Sequence, residues 1–272
     1  MKHAVLLFAL TALALAQQPA NAPPVTEAQL VGTWVAVHRS LGGLGSIWEF
    51  MPGGTLRMSV GAIVEEPYRV EGHQLILPSG STRPDAKPMI TAIRFEGDYM
   101  FQSSPGSAQR REARFKRLTP ARPGDPPIVG VWVLDAPAPE ANQAALSAEG
   151  AGQEAGSRNA AALAEIARNT FHEFTRDGLA KIRVPMRTTA GSYDLSAQTF
   201  TLAAPAGDSR APAKSGIFQL RDGLLVLAQP DDKSEDVYIR AGATLEELKR
   251  AGVSYGGKPA DFSPARLEKT PR

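Results

Sequence analysis

The sequence predicts an all-β protein, built as two tandem eight-stranded antiparallel up-and-down barrels with a helical insertion in the second barrel and a short C-terminal helix. Three observations lead to this prediction. The stretch "LVGTWVAVHR" near the start returns as "IVGVWVLDAP" near the middle of the chain. Apolar and polar residues alternate along most of the sequence, and glycine-containing turns recur every eight to twelve residues. Such alternation and turn spacing are typical of antiparallel strands.

The repeat extends over five blocks. Gly32 and Trp34 correspond to Gly130 and Trp132 at a shift of 98 residues, whereas "WEFMPGGTLRMSV" corresponds to "HEFTRDGLAKIRV" at a shift of 124. The pairs "YRVEGHQLIL" with "YDLSAQTFTL" and "IRFEGDYMF" with "FQLRDGLLV" follow at 125, and "RFKRL" matches "VYIRA". A nearly constant offset indicates an internal duplication. The jump from 98 to 124 indicates an insertion after the first strand of the second copy.

The first residues are typical of a secretory leader. "MKHAVLLFALTALALAQQ" has a basic start, an apolar run and small residues before a cleavage site, so we expect a signal peptide at 1–16. The apolar run is short for crossing a bilayer of about 30 Å, and no other long apolar run occurs. We therefore expect an exported protein, periplasmic or secreted, with no membrane span.

The remaining boundaries follow from the repeat. The first barrel is predicted at 26–118, a proline-rich linker at 119–127 and the second barrel at 128–241, with its insertion at 136–169. The linker, "TPARPGDPP", should be a stiff, extended spacer. Residues 242–272 are expected to form a short helix, with a capping box from Thr244 to Glu247 and a stop at Gly252, followed by a poorly ordered tail. The alanine-rich insertion should hold a helix over about 159–168.

Each copy should contribute eight strands. In the first copy the strands are predicted at 31–39, 46–51, 55–62, 66–71, 73–78, 89–96, 98–103 and 111–118. In the second copy they are predicted at 129–135, 170–175, 178–185, 191–195, 198–203, 215–221, 223–229 and 236–241. Closing each meander into its own barrel removes both exposed edges. One larger barrel shared by both copies is the alternative; the linker argues against it, and proteolysis near Arg122 that releases two folded halves would decide between them.

The period of two assigns an inward face to each strand. In the first copy this face comprises Trp34, Phe50, Leu56, Met58, Tyr68, Val70, Leu75, Leu77, Ile93 and Phe95. In the second copy it comprises Trp132, Phe174, Ala180, Ile182, Tyr193, Leu195, Phe200, Leu202, Phe218 and Leu220. Residues between them should face water: Arg57, Arg69, Lys181, Arg183, Asp194 and Arg221.

These motifs together resemble the lipocalin-like (calycin-type) β-barrels. "EAQLVGTW" resembles the start of such barrels, in which a short helical turn leads into Gly-x-Trp on the first strand. "EFMPGGTL" and "EFTRDGLA" resemble the second hairpin of the small bacterial members. The resemblance covers about 30–118 and 128–240 and implies that a tryptophan plugs the closed end of each barrel beneath an arginine of the last strand. We therefore expect Arg117 over Trp34 and Arg240 over Trp132, with a structural role.

The residues offer little for catalysis or for metal binding. The chain has no cysteine. It contains no Gly-x-Ser-x-Gly, no His-Glu-x-x-His, no phosphate-binding loop and no dinucleotide-binding fingerprint. His172 and Glu173 look like half of a zinc motif, but we interpret His172 as a half-exposed strand residue. Glu49 and Glu173 recur in both copies and should point outward from different barrels, which disfavours an acid/base pair. We expect no enzyme activity, no cofactor and no metal site.

A non-enzymatic binding function remains as the leading hypothesis, with a small apolar ligand at a barrel mouth. Candidate contacts are His38, on the inward face near the mouth, with Met58, Tyr68, Tyr99, Tyr193 and Phe218. One alternative is a protein interaction or inhibitor module that uses loops and the outer barrel surface, and a second is an enzyme of unknown reaction. Without the leader the net charge is about +1. A charge this small gives no indication of a nucleic-acid partner, and we expect none.

Overall fold

One antiparallel sheet of fifteen strands makes up most of the molecule, and a three-stranded sheet lies beside it. The computed structural model of the protein describes residues 24–78, 87–103, 112–135, 169–204, 213–229 and 234–267. The all-β class predicted from the sequence is confirmed. The leader at 1–16, the insertion up to residue 168 and its helix at 159–168 lie outside the described residues.

The first copy contributes nine strands to the described structure, and the second copy and the C-terminal segment contribute nine more. The first nine are β1 Gly32–Ala36, β2 His38–Arg39, β3 Leu44–Met51, β4 Thr55–Pro67, β5 Arg69–Glu71, β6 Gln74–Leu77, β7 Met89–Glu96, β8 Tyr99–Ser103 and β9 Glu112–Arg117. The others are β10 Gly130–Leu134, β11 Phe171–Phe174, β12 Leu179–Asp194, β13 Thr199–Leu202, β14 Lys214–Arg221, β15 Leu224–Ala228, β16 Glu235–Arg240, β17 Ser254–Tyr255 and β18 Lys258–Pro259. Helices α1 and α2 span Glu27–Leu30 and Leu245–Arg250, and a 3-10 helix spans Pro264–Leu267.

Two strands are much longer than the sequence predicts. β4 runs through the turn expected near residues 63–65, and β12 runs through the one expected near 186–190. Tight hairpin turns need residues with positive φ. Among the described residues, positive φ occurs at Gly54 and next at Gly72, and later at Gly178 and next at Gln198. No residue between these adopts a positive φ, and both strands continue and pair with each other from Thr55 and Ser192 to Pro67 and Leu179, with a β-bulge between Pro185 and Arg187.

Eight strands from both copies close a ring. The order is β1, β3, β4, β12, β13, β14, β15 and β16, because β13 also pairs with β12 and β16 pairs back with β1. The first three strands belong to the first copy and the other five to the second. The expectation that each copy pairs only within itself is therefore wrong for these strands. We call this set the closed ring.

The other half of the sheet also mixes the copies. From the first part of β12 the order continues through β11, β10, β9, β8, β7 and β6 to β5, so that β9 of the first copy pairs with β10 of the second. We call this set the open half. The linker at 119–127 is not an extended spacer between distant domains. It makes turns, with Asp125 N–H donating to the Arg122 carbonyl (3.1 Å), and joins two neighbouring strands.

The exchange of strands reverses the expected tryptophan–arginine partners. Arg240 Cζ lies 4.3 Å from the ring centroid of Trp34, and Arg117 Cζ lies 4.1 Å from that of Trp132. The expected pairs, Arg117 with Trp34 and Arg240 with Trp132, are wrong because β1 pairs with β16 and β9 pairs with β10. Each indole N–H donates 2.8 Å to a carbonyl four residues earlier. A tryptophan beneath an arginine is nevertheless found in both halves.

Two separate apolar clusters reflect the two halves of the sheet. One fills the closed ring around Trp34, Phe50 and Phe218, and the other lies in the open half around Trp132 and Phe174. Most residues assigned to the inward face are buried or partly buried. Val70 is an exception: it is 40 % exposed, since it lies on β5 at the edge of the sheet.

The C-terminal segment is more ordered than expected. Helix α2 confirms the predicted capping box, in which Thr244 N–H donates to the Glu247 carboxylate at 2.7 Å. After Gly252 the chain forms β17, β18 and the 3-10 helix, where we expected a poorly ordered tail. Phe262 and Leu267 are buried, so this segment packs onto the sheet through at least residue 267.

Candidate functional site

The interior of the closed ring is filled by aromatic side chains. The ring centroids of Trp48 and Phe200 are 4.9 Å apart, and those of Phe50 and Tyr193 are 5.3 Å apart. Phe218 is fully buried in the same cluster. Met58 packs against this cluster, and the Tyr193 hydroxyl donates to the Met51 carbonyl at 2.9 Å. Met58, Tyr193 and Phe218, predicted as ligand contacts, therefore serve here as packing residues.

The other predicted contacts lie at separate places. His38 is exposed on β2, with its Nδ1 2.9 Å from the Ser254 hydroxyl, so its expected inward orientation is wrong. Tyr99 lies beside Arg114, whose Cζ is 5.2 Å from the tyrosine ring centroid. Tyr68 belongs to the open half and stacks edge-on against Phe174. The six residues do not converge on one site, and a ligand role for them stays a prediction.

Tyr68 also lines a cleft of about 520 Å³ beneath the C-terminal segment, together with Leu179, Lys249 and Phe262. Its hydroxyl donates to the Thr175 carbonyl at 2.8 Å. Burial, and secondarily the charge of Asp177, raises the pKa of Tyr68 to about 12. The phenol therefore stays protonated near neutral pH, and its proton is already used in a hydrogen bond.

A different cleft lies where the two halves of the sheet meet. It has a volume of about 410 Å³ and is formed by the outward faces of β1, β3 and β4 on one side and β10, β11 and β12 on the other. Its apolar lining is formed by Ile47, Leu118, Val131, Phe171 and Pro185. Its uncharged polar lining is formed by Thr33, Ser59, Thr119, Asn169 and Thr188. Glu49, Arg57 and Arg183 supply the charges. We call it the central cleft.

The central cleft contains equivalent positions of the two copies. Thr33 corresponds to Val131 at the shift of 98, and Ser59 corresponds to Arg183 at the shift of 124. The cleft is therefore built from both copies but is chemically unequal, with a hydroxyl on one side and a guanidinium on the other. A ligand placed there would meet two different walls.

Sequence reasoning missed the central cleft because it assigned these outward positions to water. Arg183 was expected to be solvated, but only 15 % of its side chain is exposed. Lys181 was expected to be solvated too, yet it is buried and its Nζ donates to the Ala243 carbonyl at 2.6 Å. The sequence did contain one signal: the second copy has Arg183 where the first copy has the small Ser59.

Ion pairs surround the cleft on the outward face. Glu49 accepts from Arg57 Nε at 3.0 Å, and Glu65 pairs with Arg39 at 3.0 Å in a fully buried contact. Glu173 lies 3.5 Å from Lys181 Nζ. Glu49 and Glu173 both point outward as expected, yet both act on the same central region. The geometry does not support an acid/base pair of Glu49 and Glu173, because each carboxylate contacts a cation.

The electrostatics of Arg183 result from burial and from these carboxylates. Burial lowers the pKa of Arg183, and the charges of Glu173, Glu65 and Glu49 oppose that effect. Its Glu173 contact is long, 3.7 Å from Nη2 to Oε2. Its Nε is buried and has no hydrogen-bond partner within the described parts of the chain. A buried donor without a partner costs free energy.

His172 lies on β11 in the open half and is partly buried, which agrees with the half-exposed strand position expected from the sequence. It is opposite Trp132 in the β10–β11 register, and its ring centroid is 4.8 Å from that of Phe115. Burial lowers the pKa of His172 to about 4. Within the described ranges, no group of three or more histidine or acidic side chains is arranged to hold a metal ion.

Comparison of the chain with family models, with curated proteins and with solved structures found no match. Among the helices that the structure describes, none is long and apolar enough to span a bilayer. The resemblance to lipocalin-like barrels thus stays a prediction. The assignment of a function depends on the geometry of the site.

Proposed function

We propose that the protein is a non-enzymatic binding protein and that its small ligand lies in the central cleft. The observation that supports this most is the cleft itself: about 410 Å³, with five apolar and five uncharged polar lining residues around two arginines and one glutamate. This volume lies within the range of about 300–1,000 Å³ that is typical of small-molecule sites, which combine an apolar lining with placed polar groups. The filled aromatic interior of the closed ring argues against the ligand position expected from the sequence.

The proposal retains the lipocalin-like architecture in a modified form. We propose two eight-stranded barrels in which the copies exchange strands across β4 and β12. The closed ring would be the first barrel. The end of β4 would close the second, since Tyr68 N–H donates to the Gly178 carbonyl at 2.8 Å and the chain continues directly into β5. A tryptophan under an arginine at each closed end supports the likeness.

We also propose that the protein is exported, because its first residues combine a basic start with an apolar run and small residues. The N-terminal sequence of protein recovered from a bacterial periplasm tests this. A new N-terminus near Gln17 supports export, and an intact Met1 on protein retained in the cytosol contradicts it.

A blocking substitution tests the ligand site. Thr188 lines the central cleft, and its hydroxyl lies 2.9 Å from that of Ser59. We expect Thr188→Trp to fill the cleft and to weaken binding of the neutral apolar fluorophore N-phenyl-1-naphthylamine at least tenfold. Thr201→Trp is the matched control, because Thr201 is exposed on β13 and its hydroxyl likewise lies near a serine hydroxyl, at 3.4 Å.

The fluorophore titration has clear outcomes. Loss of binding in Thr188→Trp but not in Thr201→Trp supports the central cleft. Equal binding by both variants contradicts it and moves the site elsewhere, for example to the exposed apolar side chains of Leu44, Val60 and Met186. That result would favour the protein-interaction alternative instead. An absence of binding by the unchanged protein would also contradict the proposal.

A further inference from the structure

We propose that the ligand of the central cleft is a small amphiphilic anion, with its negatively charged head bound by Arg183 and its apolar part against Phe171 and Ile47. This inference rests on the proposed function, since it assumes that the cleft holds a ligand. It adds the chemical class of the ligand and the residue that selects it.

The position of Arg183 is the first argument. β12 places it on the outward face of the open half, in register with Ile63 on β4 and Phe171 on β11. The guanidinium lines the central cleft, with its Cζ 5.8 Å from the Phe171 ring centroid. The side chain is only 15 % exposed, and its Nε has no partner within the described ranges. A ligand in the cleft would contact the exposed part of this side chain, since the buried Nε is out of its reach.

The balance of charge is the second argument. Three carboxylates and four cations lie on or beside the outward face of β3, β4, β11 and β12. The carboxylates are Glu49, Glu65 and Glu173, and the cations are Arg39, Arg57, Lys181 and Arg183. Two of the carboxylates are taken up by close pairs, and the third is shared at longer distance by Lys181 (3.5 Å) and Arg183 (3.7 Å). Among the residues that line the cleft, Glu49 is paired with Arg57, so one positive charge, that of Arg183, is left over.

The chemistry of the cleft then selects the ligand. A guanidinium presents donors in a planar fork that matches a carboxylate or a sulfonate, and such charge-assisted bonds are about twice as strong as neutral ones. One excess cation fits one negative charge. The apolar lining next to Arg183, from Phe171, Ile47 and Val131, suits an alkyl chain or a ring rather than a second charged group.

Octanoate and 1-octanol are the probes for calorimetric titration, because they share an alkyl chain and differ in head-group charge. We expect the unchanged protein to bind octanoate at least tenfold more tightly than 1-octanol, since a hydrogen bond to a charged group contributes at least about a factor of ten. Arg183→Gln should lose this preference while still binding 1-octanol as before. Arg183→Lys should retain part of it, and Arg221→Gln, at an exposed arginine of β14, should leave both affinities unchanged.

Several results would overturn the inference. Equal affinity of the unchanged protein for octanoate and 1-octanol would do so, as would an undiminished preference in Arg183→Gln. If Arg183→Gln does not fold, the preference of the unchanged protein must instead fall as sodium chloride rises from 0.02 to 0.5 M, and a preference independent of salt counts against an anion site. Binding of N-phenyl-1-naphthylamine that depends on Thr188, without any preference for octanoate, would reject the anion and leave the proposed function standing.

Discussion

Gly61 and Pro185 are equivalent residues of the two copies, 124 positions apart, and they lie directly opposite each other in the β4–β12 pair. A residue that pairs with its own counterpart marks the point where a two-fold relationship between the copies passes through the sheet. A Cβ on Gly61 would meet Pro185 Cα at 2.9 Å and would come still closer to the Val184 carbonyl. Glycine is therefore required there by the close approach of the two strands.

This relationship explains the exchange of strands. The first copy contributes β1, β3 and β4 to the closed ring and β5–β9 to the open half, whereas the second copy contributes β10 and β11 to the open half and β13–β16 to the closed ring. β12 belongs to both, and the arrangement resembles a domain-swapped dimer joined into one chain. The central cleft is a consequence, because the exchange brings the outward faces of both copies together.

The exchanged arginine contact can be measured by a double-mutant cycle. Arg240 lies over Trp34 and also donates to the Val31 carbonyl at 2.6 Å. We expect Arg240→Gln and Trp34→Leu to couple by about 1 kcal/mol in the free energy of unfolding by urea. Arg117→Gln and Trp34→Leu should show a coupling near zero. A coupling of Trp34 to Arg117 rather than to Arg240 would contradict the observed pairing.

Loss of one partner from the buried Arg39–Glu65 ion pair should lower the free energy of unfolding more than the same change in an exposed pair. Arg39 Nη1 donates to Glu65 at 3.0 Å and to the Tyr255 hydroxyl at 2.8 Å. Glu65→Met should destabilise the fold by about 3–5 kcal/mol in urea unfolding, because it leaves a buried charge without its partner. Adding Arg39→Met should recover a large part of that loss. At the exposed pair of Arg221 and Glu235, Glu235→Met should cost at most about 1 kcal/mol; equal costs at the two sites would refute this prediction.

The pKa of His172 predicts a loss of stability in acid. The folded state holds this pKa at about 4, against 6.5 for the free side chain, so between these values the unfolded state binds more protons. The contribution is complete above pH 6.5 and is lost as the pH falls towards 4, by about 2–3 kcal/mol. His172→Phe should flatten the stability curve over this range, measured by urea unfolding. His73→Phe, at an exposed turn, should not; identical slopes in all three proteins would contradict the assignment.

Local patterns in the sequence predicted a large part of the fold. The alternation around Trp34 and Trp132 identified buried faces because side chains in a strand alternate wherever the strand is paired. The capping box of α2 could also be predicted, because Thr244 and Glu247 interact within one helical turn. These features depend on neighbours in sequence and not on which strand lies beside them.

The strand partners and the site could not be predicted in this way. Exchange depends on the lack of a tight turn after Ile63 and before Arg69, and an extended segment is a weaker signal than a glycine turn. Arg183 and Lys181 were assigned to water because a charged side chain on an outward face is usually solvated. Only the pairing of β4 with β12 buries them, and that pairing joins residues more than a hundred positions apart.

The central claim is the exchange of strands between the copies, and an engineered disulfide tests it most directly. Thr55 and Ser192 are exposed and lie opposite each other at the end of the β4–β12 pair, next to the hydrogen bond from Tyr193 N–H to the Gly54 carbonyl. This is a non-hydrogen-bonded pair with Cα atoms about 4.5 Å apart, within disulfide reach. The natural chain has no cysteine to interfere.

We expect Thr55→Cys/Ser192→Cys to form an intramolecular disulfide in the native monomer, detected by mass spectrometry of the proteolysed protein. Thr55→Cys/Thr201→Cys is the control, because Thr201 pairs with Ser192 and so lies one strand further away. If each copy closed its own ring, the 125-residue shift of this block would place Pro67, the counterpart of Ser192, opposite Thr55 instead. A disulfide in Thr55→Cys/Pro67→Cys, with none in Thr55→Cys/Ser192→Cys, would contradict the account.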